Sequence, residues 1–178
     1  MRALLAIGLA AAFTAGAMAQ TTELKVGDPA PNFRLQASDG KTYQLSDFKG
    51  KQAVVVAWFP AAFTQGCTIE CKSLAENGQN IRKYDVTYFM ASVDPLEGDK
   101  GNKAFAEAMN ADFPLLSDPT KATATAYGVL NQRGFANRWT FYIDRDGRIA
   151  YIDKNVRPAT SAEDMIAKLG ELKVPVRR

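Results

Sequence analysis

The chain has 178 residues, 47% of them hydrophobic and 23% charged, the mix of one globular domain rather than a disordered, collagen-like or coiled-coil protein. Its 22 Lys and Arg against 19 Asp and Glu give a net charge of +3, too mild to imply a nucleic-acid partner. Two cysteines and no histidine exclude a disulfide-stapled scaffold, a four-cysteine zinc site, the Ser-His-Asp triad and the Cys-His dyad, so any nucleophile is activated without imidazole.

The N-terminus reads as a leader. Arg2 precedes an uncharged apolar stretch over residues 3–13, and Ala17-Met18-Ala19 matches the small-x-small cleavage pattern before Gln20. The apolar run is too short for a permanent membrane span. The alternative is an amphipathic helix packed on the domain. The leader reading places a signal peptide at 1–19 and one domain at 20–178, exported to a bacterial periplasm, with no membrane attachment after cleavage. Thiols there stay reduced only with a dedicated electron source.

Residues 20–32, with Gly27, Pro29 and Pro31, read as an irregular lead-in. Phe33, Leu35 and Ala37 alternate with polar neighbours, residues 42–45 alternate again, and Asp39-Gly40 lies between, which predicts a β-hairpin. Residues 46–48 form a short turn. Residues 53–59 (AVVVAWF) are an unbroken apolar run, the pattern of a strand buried on both faces, and Pro60 ends it. A helix is expected over 66–82, a second buried strand over 86–93 and a helix over 100–109. Weaker elements fall at 115–116 and 123–127. Residues 139–143 and 149–152 predict a second hairpin, and Thr160 with Glu163 predicts a capping box opening a last helix. A parallel βαβ unit, an antiparallel pair and a final helix follow the order of the thioredoxin fold. The expectation is therefore α/β: a central mixed sheet flanked by helices, with an N-terminal hairpin extension.

In open α/β sheets, ligands sit beyond the carboxyl ends of the strands. The segment after the first central strand, PAAFTQGCTIEC over 60–71, carries both cysteines. If the helix starts near Gly66, Cys67 lies in its first turn, where free N–H groups and the helix dipole favour a thiolate. The alternative is a small buried hydrophobe. Glu70 shares a helix face with Cys67. Unpaired, it would oppose a thiolate. The placement makes sense if an arginine pairs with Glu70 and points its remaining donors at the sulfur; the alternative is a solvated first-turn acid.

At these residues the sequence resembles the peroxiredoxins. Pro60, Thr64 and Cys67 form P-x-x-x-T-x-x-C, and the surrounding residues are most similar to the bacterioferritin-comigratory (Q-type) subfamily. Ser92-Val93-Asp94, residues 113–119, Tyr127-Gly128-Val129 and residues 138–144 follow in family order. The resemblance implies a thioredoxin-like fold and a thiol-dependent peroxidase acting on hydrogen peroxide and organic hydroperoxides. Cys67 would be the peroxidatic cysteine, Thr64 would hydrogen-bond the thiolate and the peroxide, Pro60 would shield the site from water, and Arg138 would be the catalytic arginine. Without the resemblance, Arg138 also reads as a strand-edge surface residue. No metal or organic cofactor is implied. The expected partners are the peroxide and a thioredoxin-like or other thiol reductant, on a monomer or weak dimer. Two positions depart from the subfamily. Gln65 stands where proline is frequent, and Cys71 lies four residues after Cys67 where the resolving cysteine usually lies five after. Cys71 is thus either the resolving cysteine or a buried structural thiol.

The C-x-x-x-C spacing also resembles the Sco-type copper chaperones, which would bind Cu(I) through Cys67 and Cys71. That family uses a distal histidine as third ligand, and this chain has none.

Overall fold

A computed structural model describes residues 23–177 of the chain. The expected leader, 1–19, and its cleavage site lie outside the described residues.

Seven strands form one sheet in the order β2-β1-β5-β4-β3-β6-β7. Its centre is β3 (Ala53–Trp58), parallel to β4 (Val86–Ser92), which is parallel to β5 (Leu115–Ser117). The unbroken apolar run of β3 is buried on both faces, as its composition requires. Side chains alternate across a strand: Ala53, Val55 and Ala57 join one core cluster, and Val54, Val56 and Trp58 the other. The first cluster lies under α1 (Gln65–Glu76), α2 (Gly78–Ile81), α3 (Asn102–Met109) and α5 (Ser161–Glu171). The second is covered by α4 (Ala122–Ala126) and by Phe33 and Leu45 from the N-terminal segment.

Both expected hairpins form. β1 (Arg34–Ala37) and β2 (Thr42–Gln44) pair antiparallel, and β1 extends the sheet by pairing with β5. Ser38 fixes that junction: its N–H donates to Leu115 O at 2.9 Å, and its hydroxyl accepts from Leu115 N–H at 3.0 Å. β6 (Thr140–Ile143) and β7 (Ile149–Asp153) close the opposite side, with β6 antiparallel to β3. The mixed sheet flanked by helices matches the expected thioredoxin-like architecture.

Four boundaries differ from expectation. The helix expected over 66–82 breaks at Asn77 into α1 and α2. The Asn77 side chain donates back to Ser73 O at 3.0 Å, a local bond that competes with helix continuation, and Gly78 follows as a poor helix former. Gly78 also admits the Arg82–Asp112 pair: a Cβ there would lie 2.7 Å from Asp112 Oδ1. The helix expected from 100 begins at Asn102, because residues 95–101 fold into a turn with Gly101 as its N-cap. Leu45 belongs to a 3-10 turn, Leu45–Asp47, rather than to the strand before it. The capping box does not form. Pro158–Thr160 is a 3-10 turn, Thr160 is not in extended conformation, and its hydroxyl donates to Asp164 Oδ2 at 2.9 Å.

Candidate active site

The carboxyl end of β3 delivers the chain to the site. Phe59 is fully buried and its N–H donates to Ala91 O at 2.9 Å, which keeps it beside β4 after the strand proper ends. Pro60, half-buried, then turns the chain away from the sheet. Phe63 has φ of 61°, the left-handed region that is strained for a bulky residue. Its ring packs on Phe105 of α3 with centroids 5.1 Å apart.

Thr64 is the N-cap of α1, in extended conformation. The first intrahelical bond runs from Thr68 N–H to Thr64 O at 2.9 Å. Cys67 is thus the third residue of the helix, within the turn whose N–H groups lack intrahelical partners. The Thr64 side chain, an ordinary capping residue, makes no capping bond here. Its hydroxyl donates to Ala61 O at 2.9 Å, so the bond expected from Thr64 to the Cys67 sulfur is not the one it makes. The site is left with backbone donors facing outward at the positive end of the helix dipole, an arrangement that suits an anion.

Arg138 comes from the other side of β3. Trp58 N–H donates to Trp139 O at 2.9 Å and so aligns the start of β6 with the end of β3. The guanidinium reaches over the helix N-terminus: Nη2 donates to Cys67 Sγ at 3.2 Å and Nη1 donates to Glu70 Oε2. Arg138 is neither at a strand edge nor a free surface residue; its side chain is 19% exposed and that of Glu70 only 1%. Glu70 is therefore not a solvated first-turn acid but the anchor of the arginine, the first of the two arrangements the sequence allowed. Its other oxygen, Oε1, has no hydrogen-bond partner among the described residues. Burial pushes the Glu70 carboxyl up to about 7, helped by the charge of Asp153 and opposed by Arg138.

Gly66 makes this approach possible. A Cβ at Gly66 would lie 3.1 Å from Arg138 Nη2. The sequence placed Gly66 only as a helix start; its functional meaning required knowing where Arg138 arrives.

Cys67 and Cys71 are both free thiols, and both are buried within the cluster that includes Ala57, Phe59 and Leu74. They differ in partner. Arg138 touches the Cys67 sulfur, whereas burial, then the charges of Glu70 and Cys67, push the Cys71 thiol up to about 12. A guanidinium against the sulfur places positive charge where a bound metal ion would be repelled. Among the described residues, no group of three or more metal-ligating His, Cys, Asp or Glu side chains occurs.

Residues 26–152 match the model of the AhpC/TSA family. The chain is 35% identical over 136 residues to a protein of Escherichia coli named peroxiredoxin Bcp, covering 72% of this chain and 85% of that one. It is 36% identical over 133 residues to alkyl hydroperoxide reductase E of Mycobacterium bovis, covering 73% and 85%. Its structure superposes on the crystal structure of peroxidoxin BcpB from Mycobacterium tuberculosis with a TM-score of 0.74 at 28% identity, covering 84% of this chain and 98% of that one.

Proposed function

The chain belongs to the AhpC/TSA family and is a thiol-dependent peroxidase, and on that premise we propose that Cys67 is the thiolate that takes the peroxide oxygen, in a Q-type reaction cycle. The observation that carries this is the 3.2 Å contact from Arg138 Nη2 to Cys67 Sγ, at a helix N-terminus.

The chemistry follows from the site. The Cys67 thiolate attacks one oxygen of the peroxide in line; the S–O bond forms as the O–O bond breaks. Sulfur is oxidised by two electrons to a sulfenic acid and the leaving oxygen departs as an alkoxide or hydroxide, which takes a proton to give alcohol or water. Negative charge moves from sulfur to the leaving oxygen. Arg138 and the free N–H groups of the first turn of α1 stabilise it, and because they are already in place, they need no reorganisation. The Thr64 hydroxyl joins them by rotating from Ala61 O toward the incoming peroxide. Pro60 limits water at the turn that it opens.

Cys71 then resolves the sulfenic acid. Its thiol attacks Cys67 Sγ, the S–O bond breaks, and a disulfide and water result. On an intact helix, residues four apart hold their Cβ atoms about 5–6 Å apart, while a disulfide wants about 3.5–4.5 Å. The first turn of α1 therefore opens in the oxidised enzyme. Opening also releases Cys71 from the burial that keeps it protonated. A thiol reductant of the thioredoxin kind returns the disulfide to two thiols. The second reading, a one-cysteine cycle with an external thiol attacking the sulfenic acid, is favoured by the burial that pushes the Cys71 thiol up to about 12 and so keeps it a poor nucleophile on the intact helix.

We further infer export. Residues 1–19 act as the signal peptide, the domain begins at Gln20, and the mature enzyme works in the periplasm as a monomer or weak dimer. The leader pattern supports this, and intact mass of the periplasmic protein tests it: a chain beginning at Gln20 is expected, and a full-length chain contradicts it.

Cys67→Ser tests the assignment of the nucleophile. A serine hydroxyl is hardly ionised at neutral pH, so peroxide consumption should vanish with the fold intact. Single-turnover activity in that variant would refute the role of Cys67.

A further inference from the structure

The turn that carries Thr64 holds a strained residue and is fastened at few points. Phe63 is left-handed without being glycine, and such a conformation persists only when its surroundings over-determine it. On the apolar side the fastening is the Phe63 ring on Phe105. On the polar side it is Asp94. The N–H of Ala62 donates to Asp94 Oδ2 at 2.8 Å, across 32 residues of chain.

Asp94 is itself fixed from behind. The Ser92 hydroxyl donates to the same oxygen, Asp94 Oδ2, at 2.9 Å. Ser92 Oγ in turn accepts from Asn102 Nδ2 at 3.0 Å, and that amide also donates to Leu116 O and to Ser117 Oγ, each at 3.0 Å. Ser92, Asn102 and Ser117 are buried polar side chains where β4, α3 and β5 meet. A buried hydrogen-bonded network of this kind restricts the arrangements open to its members. Here a single carboxylate oxygen carries that restriction out of the core to the turn between Pro60 and Thr64.

We propose that Asp94 is the positioning residue of the site: it holds the Ala62 N–H and thereby sets where the Thr64 hydroxyl and the first turn of α1 meet the peroxide. Asp94 does not touch the reacting atoms. It acts through Ala62, whose neighbour Ala61 supplies the carbonyl that the Thr64 hydroxyl bonds at 2.9 Å. Arg138 reaches Cys67 from β6, on the opposite side of β3 from β4. Loss of Asp94 should therefore misplace the peroxide-binding turn while leaving the arginine against the sulfur. This rests on the reading of Cys67 and Thr64 given above.

The test separates reaction with peroxide from general reactivity of the thiol. For wild type, Asp94→Ala, Asp94→Glu and Asp94→Asn, the rate constant of Cys67 with one equivalent of hydrogen peroxide is compared with that for alkylation by iodoacetamide. Asp94→Ala should lose about tenfold or more in the peroxide reaction, because small misplacements are costly in such steps. Alkylation should stay within about twofold, since Arg138 still faces the sulfur. Asp94→Asn keeps an oxygen that accepts from Ala62 N–H and should recover most of the rate. Asp94→Glu keeps the charge but moves the oxygen, and should fail as Ala does, which keeps the test decisive if Asp94→Ala does not fold. The proposal is overturned if Asp94→Ala and Asp94→Glu keep the wild-type peroxide rate, if peroxide and alkylation rates fall together, or if Asp94→Asn falls as far as Asp94→Ala. Failure of the underlying reading looks different: wild type itself would not react with peroxide at Cys67.

Discussion

Arg138 binds Glu70 with one amino group and Cys67 with the other, the second bond at 3.2 Å to the sulfur. The two partners are three residues apart on one helix face, so one planar guanidinium spans both. Lysine has three donors on a single nitrogen and no such fork, so it could not reach both from two separate nitrogens. Glu70 aims the arginine, and the arginine supplies the charge at the sulfur.

Arg138→Met should therefore slow sulfenic-acid formation by about 10²-fold, the scale for removing one preorganised donor from a developing anion. Iodoacetamide alkylation of Cys67 at neutral pH should slow as well, because the thiolate loses its cationic neighbour. Thr64→Val should slow the peroxide step by about tenfold with little effect on alkylation. Stopped-flow peroxide kinetics beside alkylation rates check both. Unchanged pH dependence of alkylation in Arg138→Met would mean that the arginine does not govern the thiol.

Gly66→Ala should separate stability from activity. Alanine in a helix is favoured over glycine by about 0.5–1 kcal/mol. The added Cβ, however, would press on Arg138 Nη2 at 3.1 Å, and the guanidinium has bonds on both of its amino groups and cannot yield without lengthening one. The variant is expected to unfold at equal or higher denaturant concentration and yet react more slowly with peroxide. A variant at least as active as wild type would show that the contact is slack.

Glu70 should leave a signature in stability against pH. Its carboxyl is raised from 4.5 to about 7 in the folded protein, chiefly by burial. A raised folded value means that the native state holds the proton more tightly than the unfolded chain. The resulting stabilisation is fully present below pH 4.5 and is lost as pH rises through about 7. Glu70→Gln keeps an oxygen for Arg138 Nη1 but does not titrate. The wild-type urea midpoint should fall between pH 4.5 and 7 relative to that of Glu70→Gln; parallel curves would contradict the shift.

Much of this site can be read in the chain because its logic is local. The apolar runs of β3 and β4 declare strands covered on both faces, and Cys67 follows the first of them at a helix start. The Cys67–Glu70 spacing puts both groups on one helix face and so raises the question of a cation partner, beside the alternative of a solvated acid. What the pattern hides depends on long-range meeting points. The break at Asn77 comes from a side chain bonding back to Ser73 O. Thr160 spends its hydroxyl on Asp164 rather than on a cap. Ser92-Val93-Asp94 reads as a family marker in sequence, and its meaning emerges only where Asp94 meets Ala62 N–H. Gly66 is ambiguous until Arg138 is seen above it.

The pairing of Cys67 with Cys71 is the central step of the cycle, and intact mass after one equivalent of hydrogen peroxide tests it most directly. Cys71→Ser serves as the comparison; its buried hydroxyl costs about 1–3 kcal/mol if unpaired, so the variant is compared at a temperature where it is folded. Wild type should lose two thiols and two hydrogens with no added oxygen, while Cys71→Ser should gain one oxygen as a sulfenic acid and pass on to sulfinic acid with excess peroxide. If wild type instead gains one oxygen, keeps its second thiol and recycles with added thiol as well as the variant does, Cys71 is a structural residue and the two-cysteine cycle is wrong.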